Sequence, residues 1–104
     1  MAQFDVYQNP NPDTVRVFPY LIDVQADLLC KLPTRVVVPL VSVSMLNKTT
    51  PELNPQLEIE GVKVLMLTAQ IAGVAVSSLE TKVCSLKDRR SDILAALDFL
   101  FVGY

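Results

Sequence analysis

The sequence predicts a mainly β domain with one C-terminal α-helix. Residues 3–79 contain short apolar segments, alternating or β-branched, that turn residues and prolines separate from one another. From Leu86 onward the apolar residues instead follow the spacing of a helix. With 104 residues, the chain has the size of one domain. We therefore predict a small β-barrel or pair of sheets over about residues 3–79, followed by a helix over about residues 86–101.

The predicted strands share apolar, β-branched or alternating residues. They are the segments 3–7, 15–25, 35–43, 57–67 and 68–79. Pro19 and Pro39 indicate edge positions or bulges, because proline donates no backbone hydrogen bond to a sheet. Gly61 divides residues 57–67 into a predicted hairpin, and Gly73 marks a bend in the last strand.

The helix prediction depends on an apolar stripe and on two end signals. The stripe consists of residues 86, 93, 94, 97, 100 and 101. Ser85 is a predicted N-cap, with Asp88 three residues further on as in a capping box. Gly103 stands where a helix of this length would end. The tail, residues 102–104, is predicted to lie beyond the helix.

Composition excludes several functional classes. The net charge is −2 and the nine basic residues are scattered, which argues against direct nucleic-acid binding. The chain has no histidine and only three glycines, so neither a histidine-based catalytic site nor a glycine-rich phosphate loop is expected. Cys30 and Cys84 are far apart, which predicts two reduced thiols and no metal or cofactor. No signal peptide and no membrane span are expected, so we predict a soluble cytoplasmic protein.

Two charged groups each have two interpretations. Asp23, Gln25 and Asp27 would share one face of a regular strand, and we favour a solvated face over a carboxylate pair for acid–base catalysis. Residues 87–90, with the sequence KDRR, are either a solvated helix start or the polar rim of a docking surface.

The chain ends in the apolar sequence DFLFVGY, whereas chain termini are usually polar. Phe101 continues the helical stripe and is interpreted as a core or dimer-interface residue. For Val102 and the two residues after it, burial and exposure remain equally open. An exposed aromatic side chain there would suit a binding hot spot. The pattern alone therefore indicates a small β-rich binding module.

Several segments together resemble the CcdB toxins, which are the toxin halves of bacterial toxin–antitoxin pairs. These segments are QFDVY, YLIDVQADLL, RVVVPL, MLTAQIAGVAV and the ending DILAALDFLFVGY. The resemblance extends over essentially the whole chain. It implies a homodimer of SH3-like barrels of the CcdB/MazF type, each with a C-terminal helix.

The resemblance also implies a function without catalysis. Family members bind the A subunit of DNA gyrase and trap its cleavage complex with DNA, and the disordered C-terminal segment of an antitoxin neutralises them. Toxin and antitoxin together repress their own operon, with the antitoxin contacting the DNA. Carried onto this chain, the gyrase-binding residues are Val102, Gly103, Tyr104 and Arg89, and Phe101 and Leu100 lie in the dimer interface.

The tail departs from the family pattern of an aromatic residue, a glycine and an aliphatic residue. Val102 replaces the aromatic residue and offers no π face to a guanidinium group, while Tyr104 replaces the aliphatic one. Arg90 is more basic than the family pattern at its position. An alternative is therefore a family member that keeps dimerisation and antitoxin binding but has lost or changed gyrase poisoning. A MazF-like ribonuclease is disfavoured, because the chain is acidic. The resemblance places antitoxin contacts near residues 8–13 and 41–50.

Overall fold

The computed structural model describes residues 1–45 and 50–103. In this part of the chain, seven strands form one curled antiparallel sheet, a half-barrel closed by a C-terminal helix. The strands are β1 (Asp5–Gln8), β2 (Tyr20–Asp23), β3 (Thr34–Ser42), β4 (Gln56–Ile59), β5 (Val62–Met66), β6 (Ala72–Ala75) and β7 (Lys82–Ser85). Their order is β4-β5-β3-β2-β1-β7, and β6 pairs with β3. The predicted mainly β architecture with one terminal helix is therefore confirmed.

Strand β3 is the centre of the sheet, although its proline indicated an edge. One side of β3 pairs with β2, and the other side pairs first with β6, as far as Val37, and then with β5, from Leu40. Pro39 lies in the gap between these two partners. Its carbonyl oxygen accepts the N–H of Leu67 on that side. Because the N–H and C=O of a strand residue point the same way, the missing N–H of Pro39 removes no bond to β2.

The predicted hairpin is present, with a two-residue turn between β4 and β5. Ile59 pairs with Val62, so Glu60 and Gly61 form the turn. Both have positive φ angles, 50° and 81°. Two consecutive left-handed residues are the signature of a type I′ turn, whose twist matches that of the strands. Gly61 adopts this conformation without the steric cost that a side chain adds.

The main core lies between one face of the curled sheet and the C-terminal helix α1 (Arg90–Val102). Apolar side chains from five strands and the helix fill it, at about 1.5–3 kcal/mol for each fully buried large side chain. The buried members are Phe4, Val6, Ile22, Val24, Val38, Leu40, Leu57, Ile59, Val64, Met66, Leu86, Ile93 and Ala96. With 13 residues, α1 is too short to cross a bilayer, and no described helix qualifies as a membrane span.

The helix begins later than expected, and the sheet extends further. Residues 82–85 form β7, and Leu86 prolongs its pairing by donating its N–H to the carbonyl oxygen of Phe4 at 2.9 Å. A 3-10 turn, Lys87–Arg89, then leads into α1 at Arg90. Because Leu86 is buried and bonded as an extension of the sheet, the helix cannot start there. The Ser85 hydroxyl accepts only the N–H of Lys87, at 3.4 Å, so the predicted capping box is wrong.

Two predicted strands are shorter than their segments. In residues 15–25 the strand starts only at Tyr20, because the N–H groups of Val17 and Phe18 bond back to the carbonyl oxygen of Thr14 in helical turns. In residues 68–79 only β6 is extended, and 3-10 turns at Thr68–Gln70 and Val76–Ser78 flank it. The apolar residues therefore predicted the positions of these two strands correctly, but they predicted strands that are too long.

Candidate target-binding surface

Helix α1 is anchored through residues in its middle. Ile93 and Ala96 are fully buried against the sheet, and Leu94 and Leu97 pack partly against the same core. The residues have good helix propensity, since alanine and leucine dominate the middle of the segment. The last turn therefore extends beyond the part of the helix that packs on the core.

The last turn leaves an apolar pair in water. Phe101 is 70% exposed and Val102 is 60% exposed, while Leu100 is half-buried. Phe101 therefore does not pack into the core of this chain, which leaves the dimer-interface alternative. Val102 is the last residue of the helix, so the prediction that it lies beyond the helix is wrong. We call Phe101 and Val102 the apolar tip.

Gly103 ends the helix as predicted. Its φ of 84° is left-handed, and its N–H donates to the carbonyl oxygen of Phe99 at 2.9 Å. A Cβ at this position would meet nothing within 4 Å, so glycine is favoured here by backbone conformation and not by lack of space. Tyr104 lies outside the described residues.

Arg89 is not near the apolar tip. Its Nε donates to Asp92 Oδ2 at 2.8 Å, and its Nη2 donates to the carbonyl oxygen of Gln56 at 3.0 Å. Arg89 therefore ties the start of α1 to the start of β4. With a rise of about 1.5 Å per residue, some 20 Å of helix separate it from Val102. Within one chain, the expected gyrase-binding residues are divided between the two ends of the helix.

The rest of the KDRR segment is mostly exposed, as a solvated helix start requires. Arg90 is more structural than that interpretation implies. Its guanidinium lies 5.6 Å from the centre of the buried Phe4 ring, and its Nη1 donates to Gln3 Oε1 at 3.2 Å. Asp88 and Asp92 place negative charge near the helix N-terminus, where the macrodipole favours it.

The predicted solvated face at Asp23 and Gln25 is wrong. Asp23 is fully buried, Gln25 is 6% exposed, and only Asp27 is in water. Arg35, also buried, donates from Nε to Asp23 Oδ2 at 2.7 Å. These side chains are covered because a second, smaller apolar cluster lies on this face of the sheet. Its members are Tyr7, Val37 and Leu79, with Leu21 and Val74 packed against them.

The same face holds two further ionisable side chains. Burial raises the pKa of Tyr7, and the nearby carboxylates of Asp5 and Asp23 raise it further. Asp5 Oδ1 forms an ion pair with Lys82 Nζ at 3.3 Å, and Asp5 Oδ2 accepts a hydrogen bond from the N–H of Ala2 at 2.9 Å. Both carboxylates are thus engaged by cations and have little access to solvent. The cluster is suited to holding strands together and not to general acid–base catalysis.

Sequence reasoning did not single out three exposed leucines. Leu28, Leu29 and Leu32 lie in residues 27–32, which we call the leucine turn, and Leu28 is 92% exposed. The sequence did contain a signal for this surface. Leu28 and Leu29 form an apolar pair shortly before Pro33, in a segment too short for a buried strand or helix. Large apolar side chains grouped on a surface are unusual and indicate interaction.

The cysteines are both free, as predicted. Cys30 is exposed in the leucine turn, and Cys84 is half-buried in β7. Burial raises the pKa of the Cys84 thiol, and the negative charges of Glu60 and Asp5 raise it further. Within residues 1–45 and 50–103, no group of three acidic, cysteine or histidine side chains could hold a metal ion.

An open groove lies on the sheet face that carries the second apolar cluster. Its volume is about 240 Å³. Strands β2, β3 and β6 form the floor, and the loop after β1 forms one wall. The residues that line it are Asn9, Pro10, Asn11, Thr14, Phe18, Leu21, Val37, Pro39, Gln70, Ala72 and Val74.

The chain was compared with models of protein families. A family model described as CcdB protein matches residues 3–103. The match covers nearly the whole chain, from β1 through the cap of α1, and it confirms the resemblance drawn from the sequence. The chain belongs to the CcdB family.

Proposed function

We propose that this chain is the toxin of a type II toxin–antitoxin module, and that it binds the A subunit of DNA gyrase and traps the enzyme's cleavage complex with DNA. The toxin breaks no bond itself, because gyrase supplies the chemistry. Its binding prevents gyrase from resealing the cleaved DNA. Action on gyrase places the protein in the cytoplasm.

The apolar tip supports this proposal most directly. Val102 is 60% exposed at the end of a helix that packs on the core, and the neighbouring Phe101 is the residue assigned to the dimer interface. Ordered apolar anchors lose little conformational entropy on binding, and such anchors dominate interface energies. Gly103 and Tyr104 would extend the contact beyond the helix, with Gly103 allowing a close approach of the backbones.

A homodimer completes the proposed toxin. Leu100 and Phe101 would contact the second copy, and each subunit would be an SH3-like barrel. A dimer also brings a second helix start, and so a second Arg89, into the assembly. Because some 20 Å of helix separate Arg89 from Val102 within a chain, we propose that Arg89 of one copy and Val102 of the other contribute to one binding surface.

We further propose that the antitoxin's disordered segment binds in the groove beside β6. The groove lies next to residues 8–13, which the family resemblance associates with antitoxin contacts. Its apolar floor suits aliphatic or aromatic side chains. Within residues 1–45 and 50–103, β6 pairs only with β3, so its other edge can receive an extended peptide. Of the 41–50 segment, residues 46–49 lie outside the described residues.

The test is a cleavage assay with purified gyrase, supercoiled plasmid and ATP, read as linear DNA after detergent and protease treatment. Three proteins are compared: the full chain, a chain truncated after Phe101, and Val62→Ser, which removes a different exposed apolar side chain. We expect linear DNA with the full chain and with Val62→Ser but not with the truncated chain. A full chain that is folded and dimeric yet yields no linear DNA would contradict gyrase poisoning.

The second candidate function is antitoxin binding without gyrase poisoning. Val102 and Tyr104 favour it, because both depart from the family's gyrase-binding tail. On this alternative, antitoxin peptide binds with unchanged affinity to the truncated chain, and expression without antitoxin is harmless to the cell. Binding of the peptide, measured by calorimetry beside the cleavage assay, separates the two functions.

A further inference from the structure

The leucine turn is held by polar bonds from beneath. Exposure of three leucine side chains to water is unfavourable in free energy, since burial of apolar surface is favourable. Their exposure therefore requires a structure that fixes the backbone of residues 27–32. Three backbone bonds close the turn on itself, from the N–H groups of Leu29, Cys30 and Leu32. Among the described residues, the side-chain bond that ties the turn to the sheet comes from the buried Gln25.

All four polar groups of Gln25 are engaged. Its N–H donates to Asp23 Oδ1 at 3.0 Å, and its carbonyl oxygen accepts Arg35 Nη2 at 3.4 Å. Its side-chain Oε1 accepts the N–H of Val36 at 3.1 Å. These three bonds fix Gln25 to β2 and β3, and they orient its amide. The remaining Nε2 then donates to the carbonyl oxygen of Leu29 at 3.0 Å, inside the leucine turn.

The other end of the turn has a second anchor. Asp27 Oδ1 accepts the N–H of Gln3 at 2.7 Å. Gln3 is itself bonded through Nε2 to the carbonyl oxygen of Val24 and through Oε1 to Arg90 of helix α1. The turn is therefore held at its first residue by the N-terminal segment and at its third residue by Gln25.

We infer that Gln25 is a positioning residue that holds the leucine turn open, so that Leu28, Leu29 and Leu32 form a preformed exposed surface. The buried Asp23–Arg35 pair acts through Gln25, because it fixes the backbone of that residue. This inference is independent of the proposed function, since it concerns the conformation of the turn and not its partner.

The variant Gln25→Glu tests it with almost no change in volume. The carboxylate keeps an acceptor for Val36 but replaces the donor with an oxygen that faces the Leu29 carbonyl oxygen. The N–H of Leu29 donates to Ala26 and that of Cys30 to Asp27, so exchange of these two amides reports on opening of the turn. One hydrogen bond is lost and a charge is buried beside Asp23, and opening of the turn relieves both costs, so we expect both amides to exchange at least about tenfold faster. Trypsin cleavage after the exposed Lys31 should accelerate in parallel.

Two further variants make the outcome decisive. Asp27→Ala removes the second anchor from an exposed position, so it should fold and show the same loosening. Gln8→Glu makes the same charge change at an exposed glutamine and should change nothing. Faster exchange confined to residues 27–32 supports the inference. Unchanged exchange at Leu29 and Cys30 overturns it, as does an equal acceleration throughout β3, which would make Gln25 a residue of general stability.

Discussion

Arg35 Nε lies 2.7 Å from Asp23 Oδ2, and the two side chains are 1% and 0% exposed. Such a pair contributes little net stability, because removing both charges from water offsets most of their attraction. The bonding is also incomplete, since Arg35 Nη1 has no hydrogen-bond partner among the described residues. The pair joins β2 to β3 beneath the leucine turn.

Removing one partner of this pair should be far more damaging than removing both. Arg35→Met leaves Asp23 buried and unpaired, and we expect a loss of about 3–5 kcal/mol of unfolding free energy. The double variant Asp23→Leu/Arg35→Met should lose less than Arg35→Met alone. Urea denaturation of the three proteins measures this. A double variant that is the least stable would show that the pair is strongly stabilising.

Helix α1 should depend on Ile93 for its attachment. Ile93 is fully buried in the main core, so Ile93→Ala leaves a cavity and should lower the free energy of unfolding by about 2–5 kcal/mol. Val62→Ala, at a half-exposed position, serves as the matched control and should change it by less than about 0.5 kcal/mol. Urea denaturation of both variants measures these changes. Similar losses of unfolding free energy in the two variants would contradict the packing described for the helix.

The end of α1 should fray when Gly103 acquires a side chain. Gly103→Ala places a Cβ in a left-handed conformation at a cost of about 1 kcal/mol, without any clash, because the site is open. We expect faster amide exchange of Gly103 and its neighbours in the last turn, and unchanged exchange at Ile93. Substitution by asparagine, which tolerates positive φ better, should lie between the two. Equal exchange in all three proteins would mean that the cap contributes nothing.

An aromatic residue at the tip should strengthen target binding. Val102→Trp adds a π face for a guanidinium on the partner, worth about 0.5–2 kcal/mol, or up to roughly a thirtyfold gain in affinity. Titration of gyrase in the cleavage assay measures the change. Val17→Trp, at another exposed valine, is the control and should have no effect. An equal gain from both would indicate non-specific adhesion.

The two thiols should differ in their pH dependence. Burial and neighbouring carboxylates raise the pKa of Cys84, and a raised pKa means less reactive thiolate at any given pH below it. Exposed Cys30 should therefore react first with a disulfide reagent at neutral pH, and Cys84 should need more alkaline solution. Reaction rates of Cys30→Ser and Cys84→Ser between pH 7 and 10 check this. Faster reaction of Cys84 would contradict its burial.

Local signals predicted well where one residue decides the geometry. Gly61 indicated the hairpin turn and Gly103 the helix end, because each supplies a left-handed backbone that few other residues adopt. The helical stripe correctly placed Ile93, Leu94 and Leu97 on the buried face of the helix, whereas Phe101 at its end is exposed. Its start was predicted too early, because Leu86 satisfies its N–H through Phe4, more than 80 residues away in the chain.

The polar face of β2 could not be predicted in the same way. Alternation assigns residues to two faces, but it does not say whether a distant segment covers the second face. An apolar cluster of Leu79, Tyr7 and Val37 covers that face. The guanidinium group of Arg35 neutralises the carboxylate of Asp23. A clue was available in the opposite charges of YLIDVQ and TRVVVPL, two strand segments adjacent in the chain. Choosing a buried pair from that clue requires the register of β2 and β3, which the sequence leaves open.

The apolar tip makes few contacts with the rest of its own chain, whereas Ile93 and Ala96 carry the attachment of the helix. Substitutions at Val102 should therefore cost little folding stability, whereas substitutions at Phe101 also bear on the proposed dimer interface. Selection for a new target can act on Val102 without first compensating a loss of stability.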